Sequence, residues 1–149
     1  RTDAPRSMKL PDTNVLVYAA NKAARQHAAA LRWLQDAFDQ PAGVGLAWSA
    51  LLGFARITTH PRILGRPLSV DNALRTVGFW LDQPNASALG PGERHFELLR
   101  GLLRESGGTG NLASDAHLAA IAIENGATLG SFDSDFERFE GLRFERLRA

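Results

Sequence analysis

The chain has 149 residues, 44% of them hydrophobic, with no cysteine and a formal net charge of +1. That length and apolar content predict one compact domain with a sizeable core, and the missing cysteines exclude disulfides and cysteine-ligated zinc. No apolar run approaches the roughly 20 residues that span a bilayer, so a cytoplasmic protein is expected, and the balanced charge leaves any nucleic-acid binding to a local arginine patch.

In chain order, Arg1 to Ser7 precede Met8, the only methionine, and read as a vector remnant, leaving residues 8–149 as the domain. Lys9 opens a short apolar strand that runs into a turn of Asp12, Thr13 and Asn14. Ala23 to Gln40 reads as a helix with Leu31, Leu34 and Phe38 in a stripe and Pro41 as its stop. Gly43 to Trp48 reads as a strand, and Ser49 as the cap of a helix that Thr58-Thr-His60-Pro61-Arg62 breaks. Ser69 caps a further helix, Val70 to Gln83, carrying Leu74, Val77 and Leu81.

Ala86 to Leu89 is a short strand, Gly90-Pro-Gly92 a turn, and Glu93 to Glu105 a helix with Phe96, Leu99 and Leu103 at helical spacing. Gly107-Gly-Thr-Gly110 is a flexible loop, too short and without the lysine of a nucleotide-phosphate loop. After Asn111, Ala116, Ala119, Ala120 and Ile123 mark a helix that stops at Gly126. Ala127 to Ser131 is a buried strand, the segment around Asp135 to Phe139 is a turn, and Leu142 to Arg146 is a last strand. Alternating strands and helices predict an α/β sandwich with a mostly parallel central sheet and helices on both faces.

Four acids fall at element ends: Asp12, Asp115, Asp133 and Asp135. In an open parallel sheet the rim beyond the carboxyl ends of the strands is where ligands bind. If the first strand lies near the Thr128 strand, Asp12, Asp115 and Asp133 converge there. Clustered carboxylates repel, and a hard divalent cation, magnesium or manganese, is the usual reason for such a cluster. A metal held this way activates water for phosphodiester hydrolysis. Each acid also has a plainer reading: Asp12 and Asp115 as helix N-caps, Asp133 and Asp135 as turn-formers.

Other polar residues carry less. His117 has no second histidine at i+4 and reads as a packed or surface side chain, and His60 as a helix terminator. Ser49, Ser114 and Ser131 lack a nucleophile-elbow context. Arg56, Arg62 and Arg66 form either a phosphate-binding patch or a solvated surface.

Leu10-Pro-Asp12-Thr-Asn14-Val-Leu-Val-Tyr18, Phe54-Ala-Arg56-Ile-Thr-Thr-His60-Pro-Arg62, Asp115-Ala-His-Leu-Ala-Ala120 and Ser131-Phe-Asp-Ser-Asp135-Phe together resemble the PIN-domain ribonucleases, specifically the VapC-type toxins of bacterial VapBC toxin-antitoxin pairs. The resemblance runs from Met8 to the C-terminus. It implies a magnesium- or manganese-dependent endoribonuclease that cleaves structured RNA such as tRNA or rRNA, is held inactive by a cognate VapB-type antitoxin, and is usually a homodimer. By that resemblance Asp12 matches the first acid of the family, Asp115 the third and Asp133 or Asp135 the fourth, with Asn14 supporting the first. The expected metal ligands are Asp12, Asp115 and Asp133, with Asp135 as an outer or alternative ligand.

The second acid of the family, a glutamate, is expected near Gly53 to Ala55, yet no acid stands from Ala42 to Val70. Glu93 or a water is the expected substitute. The alternative is a degenerate PIN domain that acts as a protein- or RNA-binding module.

Overall fold

The computed structural model describes residues 7–107 and 112–149. Arg1 to Arg6 of the expected vector remnant, and most of the expected glycine loop with Asn111, lie outside the described residues. Ser7, expected to fall outside the fold, bonds through its hydroxyl to Thr128 Oγ1.

Strands β1 (Lys9–Pro11), β2 (Val44–Ala47), β3 (Ala86–Leu89), β4 (Thr128–Ser131) and β5 (Arg143–Arg146) form one sheet in the order β3-β2-β1-β4-β5, with every pair parallel. Helices α1 (Thr13–Ala20), α2 (His27–Phe38), α3 (Trp48–Thr58), α4 (Val70–Leu81), α5 (His95–Glu105) and α6 (Ala113–Glu124) connect them, and a 3-10 turn, Ser134–Arg138, precedes β5. The chain walks outward from β1 to β3, then returns to the other side of β1 for β4 and β5. The strand order therefore reverses between β1 and β4, and the rim beyond their carboxyl ends is a switch point of the kind that binds ligands.

The register of β1 on β4 decides the geometry of that rim. Lys9 pairs with Thr128, Leu10 with Leu129 and Pro11 with Gly130, so Asp12 and Ser131 emerge side by side. Adjacency of these strands was a condition the sequence left open, and the pairing meets it. Central strands buried on both faces carry apolar side chains in their middles: Leu10, Val44, Leu46 and Leu129 are fully buried. β3, the weakest strand by sequence, is an edge strand paired with β2 along its whole length.

Several boundaries differ from the sequence reading. Asp12 leads directly into α1 rather than into an open turn. α2 starts at His27, not Ala23, because Asn21 Oδ1 accepts from Ala23 N and turns the chain first, at 3.2 Å. Ser49 does not cap α3: the helix begins at Trp48, with Ala47 before it and no side-chain cap. Ser69 does cap α4, its Oγ accepting from Asn72 N at 3.1 Å.

Two apolar faces are rotated from those expected. α4 buries Ala73, Val77 and Trp80 while Leu74 is 54% exposed, and α5 buries His95 and Leu102 while Phe96 is 71% exposed. α6 is buried on most sides, from Ala116 through Ala122 except His117. Gly126, at φ +61°, turns the chain out of α6 towards β4, a left-handed conformation that glycine adopts without penalty.

Candidate active site

Asp12 ends β1 and caps α1. Its Oδ1 accepts from Thr13 N at 2.8 Å and its Oδ2 from Ser131 Oγ at 2.6 Å. Ser131, wholly buried at the end of β4, is the hub of this corner. Besides donating to Asp12, its Oγ accepts from Asn14 Nδ2 at 3.1 Å and from Asp133 N at 3.0 Å. Asn14 Oδ1 in turn accepts from Phe132 N at 3.3 Å. The support expected of Asn14 therefore reaches Asp12 through Ser131.

Asp133 caps the 3-10 turn, its Oδ1 accepting from Asp135 N at 2.9 Å. The turn-forming reading of Asp133 is thus correct, and it does not exclude the other: one carboxylate oxygen from each of Asp115, Asp133 and Asp135 lies within 4.8 Å of the other two. Asp115 stands in the first turn of α6 rather than at its cap, which is Leu112. Among the described residues no side-chain cap bond occupies it there. The tight trio thus comprises Asp115, Asp133 and Asp135, with Asp12 alongside, bound by Ser131.

The electrostatics record this crowding. Burial pushes the Asp115 carboxyl up to about 6, and the charges of Asp12, Asp133 and Asp135 add to the rise, while Arg138 opposes it. Burial also raises Asp12, against the hydrogen bonds from Ser131 and Thr13, with Asp133 adding to the rise. Arg138 lies 3.7 Å from Asp135, a solvent-exposed pair of little strength. The acids are thus held together at a cost that nearby cations do not offset. An all-oxygen donor set under like-charge strain fits a hard divalent cation.

Beside the acids opens a cleft of about 720 Å³, with Asp12, Thr13 and Asp115 on one side and α3 on the other. Arg56 and Gly53 line it, whereas Arg62 and Arg66 do not. Gly53 faces inward, as the second acid would, but it is also where α1 and α3 touch: a Cβ there would stand 2.7 Å from Thr13 Oγ1. Glu93, the expected substitute, is exposed in the turn before α5 and lines no part of this cleft.

The sequence reading missed two contributors. Ser131 lacks the setting of a nucleophile, but its place at a strand end, two residues before Asp133, makes it the bond-holder for the first acid. His117 lines the cleft, and its missing partner comes from another helix: His95 Nε2 lies 2.9 Å from His117 Nδ1. Burial lowers the His117 pKa, and His95 lowers it further.

A parallel sheet with a switch point at β1 and β4, and four acids gathered there, define a PIN-type nuclease fold. The PIN domain family matches residues 9–142, and the chain belongs to it. Ribonuclease VapC37 of Mycobacterium tuberculosis is 43% identical over 93% of this chain and 96% of the relative, and Ribonuclease VapC33 of the same organism is 41% identical over 92% and 96%. Among solved structures, VapBC2 from Rickettsia felis bound to a promoter DNA fragment aligns with a TM-score of 0.69 at 18% identity, covering 95% of this chain and 99% of that one. VapC20 of Mycobacterium tuberculosis, described as a sarcin-ricin loop cleaving toxin, aligns with a TM-score of 0.63 at 18% identity over 91% and 98%.

Proposed function

We propose that this chain is the toxin of a toxin-antitoxin pair, a divalent-metal-dependent endoribonuclease that cleaves structured RNA of the tRNA or rRNA class. The observation that carries the reading is the gathering of Asp115, Asp133 and Asp135 beside Asp12 at the switch point, in a chain whose relatives are ribonucleases. Magnesium is the expected ion, with manganese able to replace it, and Asp12, Asp115 and Asp133 hold it, with Asp135 as an outer or alternative ligand. When bound, such an ion supplies an activated water and stabilises charge on a phosphoryl oxygen.

The residues of the chain do the rest. Ser131 donates to the Asp12 carboxylate and accepts from Asp133 N and Asn14 Nδ2, while Asp135 N donates to Asp133 Oδ1, so both acids are held in place before substrate arrives. Arg56, exposed on the cleft wall, is placed to receive an RNA phosphate. The partner is a VapB-type antitoxin that covers the cleft, and a homodimer is the expected assembly. The chain acts in the cytoplasm, where its RNA is; among the described residues no helix is long and apolar enough to cross a membrane.

The test is cleavage of total tRNA and rRNA by the purified chain in magnesium, in manganese and in EDTA, with Asp115→Asn in parallel. Metal-dependent cleavage that Asp115→Asn abolishes is the expected result. RNA that is bound but never cut would favour the binding-module reading, which the absence of an acid on α3 makes the natural alternative.

A further inference from the structure

Of the histidine pair, His117 lines the cleft and His95 stands behind it, and neither takes part in the acid cluster. His95, the first residue of α5, is 8% exposed, and its Nδ1 has no hydrogen-bond partner among the described residues. Its Nε2 meets His117 Nδ1 at 2.9 Å, with the rings nearly edge to face at 76°. The position of His95 is itself built. Glu124, at the end of α6, accepts from Gly92 N through Oε1 and from Arg94 N through Oε2, each at 2.9 Å, clasping the turn that delivers His95. A side chain on Gly92 would collide with that carboxylate.

The orphaned Nδ1 assigns the proton between the rings. If His117 Nδ1 carried it, neutral His95 would hold its own proton on Nδ1, as a buried N–H without an acceptor. Orphaned buried donors are rarer and costlier than orphaned acceptors. If instead His95 Nε2–H donates, the orphan is only a lone pair, and His117 is left with its proton on Nε2. Because Nδ1 is occupied by His95, Nε2 is the nitrogen His117 has free for a ligand in the cleft it lines.

We propose that His117 contacts bound RNA, donating from Nε2–H to an acceptor oxygen of the backbone, and that His95 is the residue that fixes its tautomer and ring orientation. The proposal rests on the reading of the cleft as an RNA site.

Long-range 1H–15N correlation spectra of the full-length chain, with signals assigned by single variants, test the tautomer directly. His117 should show protonated Nε2 and bare Nδ1, and His95 the same pattern; a protonated Nδ1 on His117 overturns the proposal. Steady-state cleavage of a fluorescent RNA stem-loop tests the contact. Loss of the hydrogen bond predicts a higher KM in His117→Leu, about threefold to tenfold for a 2′-hydroxyl and roughly tenfold or more for a charged phosphate oxygen, with kcat changing much less. His117→Gln retains an amide donor near the Nε2 position and should restore KM towards the parent value. His95→Leu should raise KM, and His95→Gln should restore it. An unchanged KM in His117→Leu, or a Gln variant as impaired as Leu, overturns the contact.

A DNA stem-loop of the same sequence, used as a competitor, separates the two oxygen sources. A phosphate contact makes the DNA inhibition constant sensitive to His117→Leu; a 2′-hydroxyl contact leaves it unchanged. A parent that neither binds nor cleaves RNA overturns the functional reading, and the RNA contact with it, while the tautomer result stands or falls separately.

Discussion

Asp115 carries opposite consequences for stability and for chemistry. In the unfolded chain its carboxyl titrates near 3.8 and in the folded chain near 6, chiefly through burial. Between those values the folded state holds the extra proton, so stability falls as pH rises through that window, and the charged group remains a cost above it. In EDTA the parent should melt at a higher temperature at pH 5 than at pH 7.5. Asp115→Asn should melt above the parent at pH 7.5, with the gap closing towards pH 4, while losing cleavage; melting curves across pH on both proteins check this. Ser131→Ala removes the donor to Asp12 Oδ2 and leaves Asp133 N without its acceptor. A loss of about 1–3 kcal/mol is expected, as for an unsatisfied buried group. Metal affinity should fall with it, read by urea unfolding and by calorimetry.

At the level of elements, the contact of α1 with α3 governs what can stand on the cleft wall. Gly53→Glu alone would drive Cβ against Thr13 Oγ1 and Cγ2, at 2.7 and 3.0 Å. We expect it to destabilise the chain without restoring metal affinity. In Thr13→Ala the remaining Cβ would lie at an ordinary 3.4 Å, so the double variant Thr13→Ala/Gly53→Glu should fold and bind manganese more tightly than Thr13→Ala alone. Calorimetry on the three proteins decides it. That collision was not legible in the chain, because Thr13 and Gly53 are brought together only by packing. Strand positions and the acids at their ends were legible, since apolar runs and helix stops are local signals. The buried faces of α4 and α5 were not: Leu74 and Phe96 fit a helical stripe as well as Ala73 and Leu102 do, and only the neighbouring elements choose between them. The pairing of His95 with His117 was hidden for the same reason.

At the scale of the whole molecule, the acids sit in a rim that also carries apolar surface: Leu52 is 65% exposed beside the cleft. An antitoxin segment with an apolar side and an arginine suits such a place, since a guanidinium fork pairs with carboxylates. Hydrogen exchange on the toxin-antitoxin complex should show protection at the start of α6 and along α3. Protection confined to the opposite face, with cleavage unaffected, would rule out occlusion. Metal should stabilise by mass action, and more at pH 7.5 than at pH 5, where Asp115 is largely protonated. Thermal shifts in manganese at the two pH values measure that difference.

The bond between Ser131 and Asp12 joins positions 119 residues apart, and this has a meaning during synthesis. The first acid is translated early, but β1 has no β4 to receive it until almost the whole domain exists. At about 5–20 residues per second, the ribosome takes roughly 6 to 25 seconds to travel from Asp12 to Asp135. For that interval the nascent chain holds no assembled site, and contacts of such long range then close slowly. Until β4 has been made the chain cannot assemble its site, and an antitoxin already present has those seconds to meet the emerging chain before its acids meet one another.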